Sequence, residues 1–393
     1  MRVQFLDDLT AADPIADEWA KLAECAGVGI YLTSDWCQVY WRHYGAGRRL
    51  QIVRLDDGSR LAGVVPFTVD RIRVAGVPFR LGRLLGGDYS PKLLDPPITA
   101  EAAADGAEAI AKLVADGRMD LAMVGPMAPD TPFSQALDQM ATSGTGSVRV
   151  TKTSSPGTVT MIPLATTYDE YLQGLNKDQR AKARYEVRQL EKAYRVGFYQ
   201  IQEGDIESEF DRFRLMHNAQ WDQQQSRGHF RSWPRSYAFN LDLCKAAARR
   251  GWLRFSRLDA NDAPVAYQYA FRFGRTYHWR LPSRQVSAEL RKFSLGRVAL
   301  LKMMEFAIGE GTAQIEAGMG HYEYKNQLGG REIQTVQYAV RSATARGSLA
   351  EKVLRWNSLF LEVLYHKLWY VKLGRQFPWL RRPLWECYIK CKA

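Results

Sequence analysis

Two stretches of the chain share one pattern of apolar and polar positions. Leu50–Val69 and Leu253–Phe273 each run strand, Arg-Leu-Asp, polar turn, Ala and second strand. Side chains of a strand point alternately to two faces, so each stretch predicts a β-hairpin. Each follows two segments whose apolar residues recur at the helical period, Pro14–Ala26 and Ser34–His43 in the first half, Ile206–Gln224 and Pro234–Arg250 in the second. A repeat of this size predicts two similar α/β domains with a cleft between them, a common place for ligands.

The remaining elements fill out that plan. Val3–Leu6 predicts a strand. Pro14 suits a first helical turn and Ser34 a helix cap. A strand pair through Ile72–Leu85 leads to a loop at Gly86–Pro91, an Ala-rich helix at Ala100–Asp116 and a buried strand at Met119–Val124. Thr142–Gly157, rich in Ser, Thr and Gly, reads as holding the inter-domain linker. Beyond it come a strand at Thr158–Leu164, helices at Tyr168–Leu175 and Lys177–Tyr194, and strands at Val196–Gln202 and Arg275–Leu281. Ser294–Gly309 predicts a helix capped by Ser294, Ala313–Ala317 a strand, and Arg331–Arg341 the last strand of the second domain. The passage from Tyr277 to Ala317 reads as strand, helix, parallel strand. The expectation is α+β in each half, with domains at 1–150 and 151–345 and an amphipathic tail at 346–393.

Composition narrows the class. At 393 residues two domains are the natural expectation, and 46% hydrophobic with 24% charged residues suits a soluble globular chain. The net charge is +12, but residues 346–393 hold ten Lys/Arg against three Glu, so much of the excess sits in the tail. A general nucleic-acid binder would show a basic face on its folded body. The five cysteines form no CxxC pair, which argues against a disulfide framework and fits a reducing cytoplasm. The N-terminus lacks the apolar run of a signal peptide, and no run approaches the ~18 apolar residues of a spanning helix. No zinc spacing, HExxH, Walker loop or serine elbow is present.

Several segments together resemble the GNAT-like acyltransferases of the CelD/BcsL type, associated with cellulose and exopolysaccharide synthesis, which look in turn like the Fem peptidyltransferases. They are the basic helix Asn176–Lys192, the helix Phe210–Trp221 ending in His-Asn-Ala-Gln-Trp, the hairpin Leu253–Phe273, the helix after Phe293-Ser294-Leu295-Gly296, and Gln314-Ile-Glu-Ala-Gly-Met-Gly-His-Tyr-Glu-Tyr-Lys-Asn-Gln-Leu-Gly329. The resemblance covers about residues 160–340. It implies tandem GNAT-like domains, the first degenerate, and acyl-CoA, most simply acetyl-CoA, as co-substrate, with no metal. The implied acceptor is a sugar, lipid-linked or nucleotide-linked, in envelope or exopolysaccharide synthesis. This chain departs from the pattern in having Leu295-Gly296 for Pro-Gly, Glu316 for Asp, and Ser294 for the first Gly of the acetyl-CoA signature.

The candidate residues follow. Arg291, Ser294, Leu295, Gly296 and Arg297 open a helix, where free N–H groups and the helix dipole favour an anion such as a pyrophosphate. The same segment also reads as an ordinary capped helix. Acyl transfer needs a base, donors for an oxyanion and an acid for the leaving thiolate. Glu316 or His321 could be the base, Tyr324 the acid and Lys325 the charge stabiliser, the Tyr-Lys pair being carried over from the Fem-like pattern. His217, on a face with Phe213 and Trp221, reads either as a core histidine or as a base in the cleft, with Trp221 as a substrate contact. Arg180, Arg184 and Arg188 form one helical stripe suited to an acidic substrate, or a solvated face. Two other readings stay open: a Fem-like transferase using aminoacyl-tRNA, against which stands the lack of a coiled-coil arm, and a non-catalytic membrane-associated protein. For the last, Leu349, Val353, Trp356, Phe360, Leu364 and Leu368 recur at helical spacing among Lys352, Arg355, Lys367, Lys372, Arg375, Arg381 and Arg382, with Trp369, Trp379 and Trp385, as at an anionic membrane surface. The alternative is a helical hairpin packed on the body or on a second subunit.

Overall fold

The computed structural model describes residues 1–89, 92–144, 146–153, 157–224, 227–373 and 384–393. Strands in chain order are β1 (Arg2–Leu6), β2 (Arg49–Asp57), β3 (Arg60–Val74), β4 (Val77–Leu84), β5 (Leu121–Met127), β6 (Val148–Lys152), β7 (Thr158–Pro163), β8 (Val196–Gln200), β9 (Leu253–Ala260), β10 (Ala263–Phe273), β11 (Thr276–Arg284), β12 (Gln314–Met319), β13 (Arg331–Gln334) and β14 (Val336–Ser342). Helices are α1 (Ala16–Cys25), α2 (Ser34–Tyr44), α3 (Ala103–Ala115), α4 (Pro132–Ser143), α5 (Tyr168–Gly174), α6 (Lys177–Ala193), α7 (Ile206–Gln223), α8 (Gly228–Ser232), α9 (Ser236–Arg249), α10 (Leu295–Gly309), α11 (Glu323–Asn326) and α12 (Ala345–Phe360).

The two predicted hairpins are the centres of two sheets with one plan. The first sheet runs β1-β2-β3-β4-β5-β14-β6 and the second β8-β9-β10-β11-β12-β7-β13. In each, four antiparallel neighbours lead to a single parallel pair, β4 with β5 and β11 with β12. The strand–helix–strand passage Tyr277–Ala317 is thus a parallel unit as its pattern predicts. This is a mixed α+β architecture in which two sheets repeat one strand plan.

The strand beyond each parallel pair comes from elsewhere in the chain. β14 enters the first sheet between β5 and β6, while β7, directly after the first domain in sequence, joins the second sheet beside β12. The two compact units are accordingly Met1–Gly157 with Ser232–Pro234 and Gln334–Ala393, and Thr158–Arg231 with Arg235–Ile333. This corrects the expected boundary at residue 345. Arg331–Arg341 is two strands in two sheets, turned at Thr335, whose N–H and hydroxyl both donate to Gly157 O.

Other expectations need adjustment. Thr142–Gly157 contains the end of α4 and all of β6, leaving only a few residues as linker; of these, 154–156 lie outside the described residues. α2 is capped by Thr33, whose hydroxyl accepts from the Trp36 N–H at 3.4 Å, and not by Ser34. Ser294 stands at the cap position of α10 but its side chain makes no capping bond. The tail begins as α12, whose Ala350 and Leu354 bury against Ile72, Phe79, Leu81, Leu121 and Met123 of the first sheet. It is an integral layer of that unit, because its inner stripe is as apolar as the sheet it covers.

In the second unit α10 covers one face of the sheet. Tyr277, Trp279, Ile315 and Ala317 pack there with Leu300, Leu301, Met304 and Leu328. Strand alternation turns His278 and Glu316 to the other face, where α7 lies along β11.

Candidate functional site

β11 and β12 run together only from Thr276–Gln314 to His278–Glu316. β11 continues to Arg284 without that partner. A cavity of about 360 Å³ lies in this part of the unit, walled by Trp279, Pro282, Ser283 and Arg284 of β11, by Gly296, Arg297 and Leu300 of α10, by Tyr324 of α11 and by Gln220 of α7. A gap between parallel strands beside a helix start combines an apolar slot with backbone donors.

The expected anion loop meets this cavity through two of its residues. Gly296 is on the wall, and a Cβ there would come 3.4 Å from Arg284 Cδ, so the loop lies close under that arginine. Arg297 is held between α6 and α11, ion-paired with Glu186 at 2.7 Å and donating to Gln327 Oε1 at 3.0 Å. Leu295 is buried, whereas Arg291 and Ser294 are exposed and away from the cavity wall. Buried Gln268 links the loop to the wall: it accepts from Trp279 Nε1–H at 2.7 Å and reaches Gly296 O at 3.5 Å.

A second hollow of about 520 Å³ opens on the other side of the same loop, lined by Lys182, Tyr185, Gln189 and Lys192 of α6 and by Lys292, Phe293 and Ser294. The stripe Arg180, Arg184 and Arg188 is not part of this lining. Arg180 donates to Gln173 O at 3.1 Å, and Arg184 and Arg188 are exposed. On a helix, positions 182, 185, 189 and 192 face away from 180, 184 and 188, so α6 lines the groove with lysines, a tyrosine and Glu186 and not with the predicted arginines.

The segment Glu316–Lys325 separates into three environments. Tyr324 stands on the cavity wall edge-on to Trp279, and burial pushes its phenol up to about 12, so it keeps its proton. Lys325 is buried, its Nζ 3.3 Å from Gly318 O and 4.7 Å from the Tyr322 ring centre. Burial lowers its ammonium to about 8, against the opposing pull of Glu332 and Glu316. Glu316 is buried and meets His278 Nδ1 at 2.5 Å through Oε2, while its Oε1 has no hydrogen-bond partner. His321 stands apart from these: it is exposed and pairs through Nδ1 with Glu332.

His217 takes the core reading. Its Nδ1 bonds Pro282 O at 3.1 Å and its Nε2 accepts from the His229 N–H at 3.4 Å. With both nitrogens engaged and the ring among Phe213, Trp221 and Phe230, burial lowers its pKa to about 4. Trp221 packs in the same cluster, and the left-handed turn at Gly228 leaves it room, since a Cβ there would lie 2.8 Å from the indole. Neither residue lines the cavity; the neighbouring Gln220 does.

His278, Trp279, Arg284 and Gln220 escaped the sequence reading. A signal existed for His278, because the parallel pairing of Tyr277–Ala317 sets it opposite Glu316. Among the described residues no group of His, Cys, Asp and Glu has the geometry of a metal site.

Residues 177–326 match the family model described as an acetyltransferase (GNAT) domain. The matched span contains α6 through α11, and thus the cavity, the anion loop and the Glu316–Lys325 segment. The match covers most of the second unit and marks it as similar to acyltransferase domains of GNAT type. Among solved structures the chain is similar to FemX, at 10% identity over 90% of this chain and 99% of that one, with a TM-score of 0.63. A conserved protein of Bacteroides thetaiotaomicron aligns at 14% identity over 86% and 99%, with a TM-score of 0.51. The C-terminal domain of a protein assigned as a lysylphosphatidylglycerol synthetase in Agrobacterium fabrum aligns at 12% identity over 88% and 97%, also at 0.51. These likenesses show a shared fold. No curated protein matches the chain.

Proposed function

We propose that the second unit transfers an acyl group from acyl-CoA to an amine or hydroxyl of a sugar acceptor, lipid-linked or nucleotide-linked, in envelope or exopolysaccharide synthesis. The observation that carries the reading is the 360 Å³ cavity beside the part of β11 that runs on past β12, closed on one side by the start of α10. The thioester arm would lie along Trp279, Pro282 and Leu300. Its pyrophosphate would meet Gly296 and Arg284, and the lysine-lined hollow beyond Ser294 would hold the nucleotide end. An acetyl donor is the simplest choice.

The chain supplies groups for each proton and charge. The acceptor nucleophile attacks the thioester carbonyl from the His278–Glu316 face and its proton passes to that pair. The new C–N or C–O bond forms, the oxyanion is balanced by the Lys325 ammonium, and the C–S bond breaks as Tyr324 protonates the thiolate. No covalent acyl-enzyme is needed. The surface pairing of His321 and the engaged nitrogens of His217 favour His278 with Glu316 as the base.

A second reading keeps the fold and replaces the donor with aminoacyl-tRNA; the likeness to FemX over most of both chains favours it. Thermal-shift titration separates the two. Stabilisation by acetyl-CoA or a longer acyl-CoA and none by charged tRNA supports the first reading, and the reverse supports the second.

A further inference from the structure

α12 has two apolar stripes, and the first unit uses one. Gly347, Ala350, Leu354 and Ser358 face inward, one turn apart. The other stripe is Leu349, Trp356 and Phe360, continued by Leu364 and Leu368 on the π-helical segment Leu361–Leu373, and all five are exposed. Trp356 is 70% exposed and Phe360 59%, more than a solitary surface apolar residue needs to be. Elsewhere among the described residues large exposed apolar residues are scattered; here Leu359, Val363 and Leu373 stand exposed beside that stripe, so they gather on one segment. Lys352 lies within that line and Lys372 ends it, both exposed. Residues 345–373, which hold this face, carry five basic residues against two acidic.

We propose that this face docks the protein on an anionic membrane surface, with the helix lying in the interface and its lysines among phospholipid head groups. The charge selects this occupant. A second copy would bring the same basic tail against itself, whereas acidic head groups neutralise it. No described helix is long and apolar enough to cross a membrane, so the attachment is lateral. Of the sequence features behind this expectation, Trp379, Arg375, Arg381 and Arg382 lie outside the described residues. Trp385 belongs to the unit's interior, its Nε1 donating to buried Asp88 at 3.0 Å. The face is therefore smaller than the whole tail: it is α12 and the turns after it.

The test is co-sedimentation of the full-length chain with vesicles of phosphatidylcholine alone or mixed with phosphatidylglycerol. Binding to the mixed vesicles, weaker in high salt, is expected. Trp356→Glu with Phe360→Glu should lower it about tenfold or more, and Lys352→Glu with Lys372→Glu should remove the preference for phosphatidylglycerol. Unchanged melting temperatures would establish that both variants are folded. Equal binding of wild type and variants, or no binding to either vesicle, overturns the proposal. So does a wild-type dimer in light scattering that Trp356→Glu converts to a vesicle-inert monomer, since a second copy then covers the face.

Discussion

His278 of β11 and Glu316 of β12 meet at 2.5 Å across the last paired rung before the two strands part. The contact joins a residue predicted from its neighbourhood to one that no motif marked. It also leaves the second carboxylate oxygen of Glu316 buried with no hydrogen-bond partner, an arrangement that structural ion pairs seldom tolerate. If the pair accepts the acceptor's proton, Glu316→Gln and His278→Ala should each lower kcat about a hundredfold or more while acyl-CoA affinity stays within about twofold. Steady-state kinetics beside calorimetric titration reads both. A parallel loss of melting temperature and affinity would reduce the pair to a structural bond.

Lys325 gives a pH prediction with a defined sign. Burial holds its ammonium near 8, so the charge that would balance the oxyanion is lost as pH rises past that value. Turnover should decline above about pH 8, and Lys325→Arg, which keeps its charge, should move the decline upward. Stability runs the other way. Between about 8 and the ordinary lysine value of 10.5 the unfolded chain binds more protons than the folded one, so stability rises with pH across that window. Lys325→Met should flatten this rise in chemical denaturation.

Arg284 is a cationic wall residue whose Cδ lies against the loop glycine. Arg284→Ala should weaken acyl-CoA binding about tenfold, the scale of one charge-assisted phosphate contact, and leave the melting temperature unchanged. An unaltered affinity would move the phosphates elsewhere.

His217 predicts a stability effect in place of a catalytic one. Removing its ring leaves Pro282 O and the His229 N–H without it, at a cost of about 1–3 kcal/mol. Its lowered pKa, near 4 against 6.5, means that stability falls as pH drops from 6.5 towards 4, where the unfolded chain takes up the proton first. Denaturation of His217→Gln against wild type across that range is the measurement. Loss of turnover at full stability would restore the catalytic reading.

Leu354 tests the place of the tail. It is fully buried against Leu81 and Met123, so Leu354→Ala should destabilise by about 2–5 kcal/mol. A free tail would show no change. Arg83 adds to the docking by donating to the carbonyls of Ile389, Lys390 and Lys392, so truncation at residue 345 would damage the first unit.

The hairpins, the parallel passage and the helices α6, α7 and α10 were legible because each carries a long periodic signal. The exchange of β7 and β14 was not. A strand has the same alternation whichever sheet it joins, and Gln334-Thr335-Val336 contains no breaker to mark the crossing. The cavity wall was half legible: Gly296, Arg297 and Tyr324 stood out, but Trp279 and Arg284 are brought there by β11 running on past β12 and Gln220 by the packing of α7, which leave no local mark. The arginine stripe of α6 drew attention by its charge, although the helix turns its lysine and tyrosine face to the hollow.

The decisive measurement is calorimetric titration of the full-length protein with acetyl-CoA and longer acyl-CoAs, repeated on Arg284→Ala. The account predicts one saturable site, weakened by the substitution. Absence of binding by every acyl-CoA, or binding that Arg284→Ala leaves untouched, would contradict it.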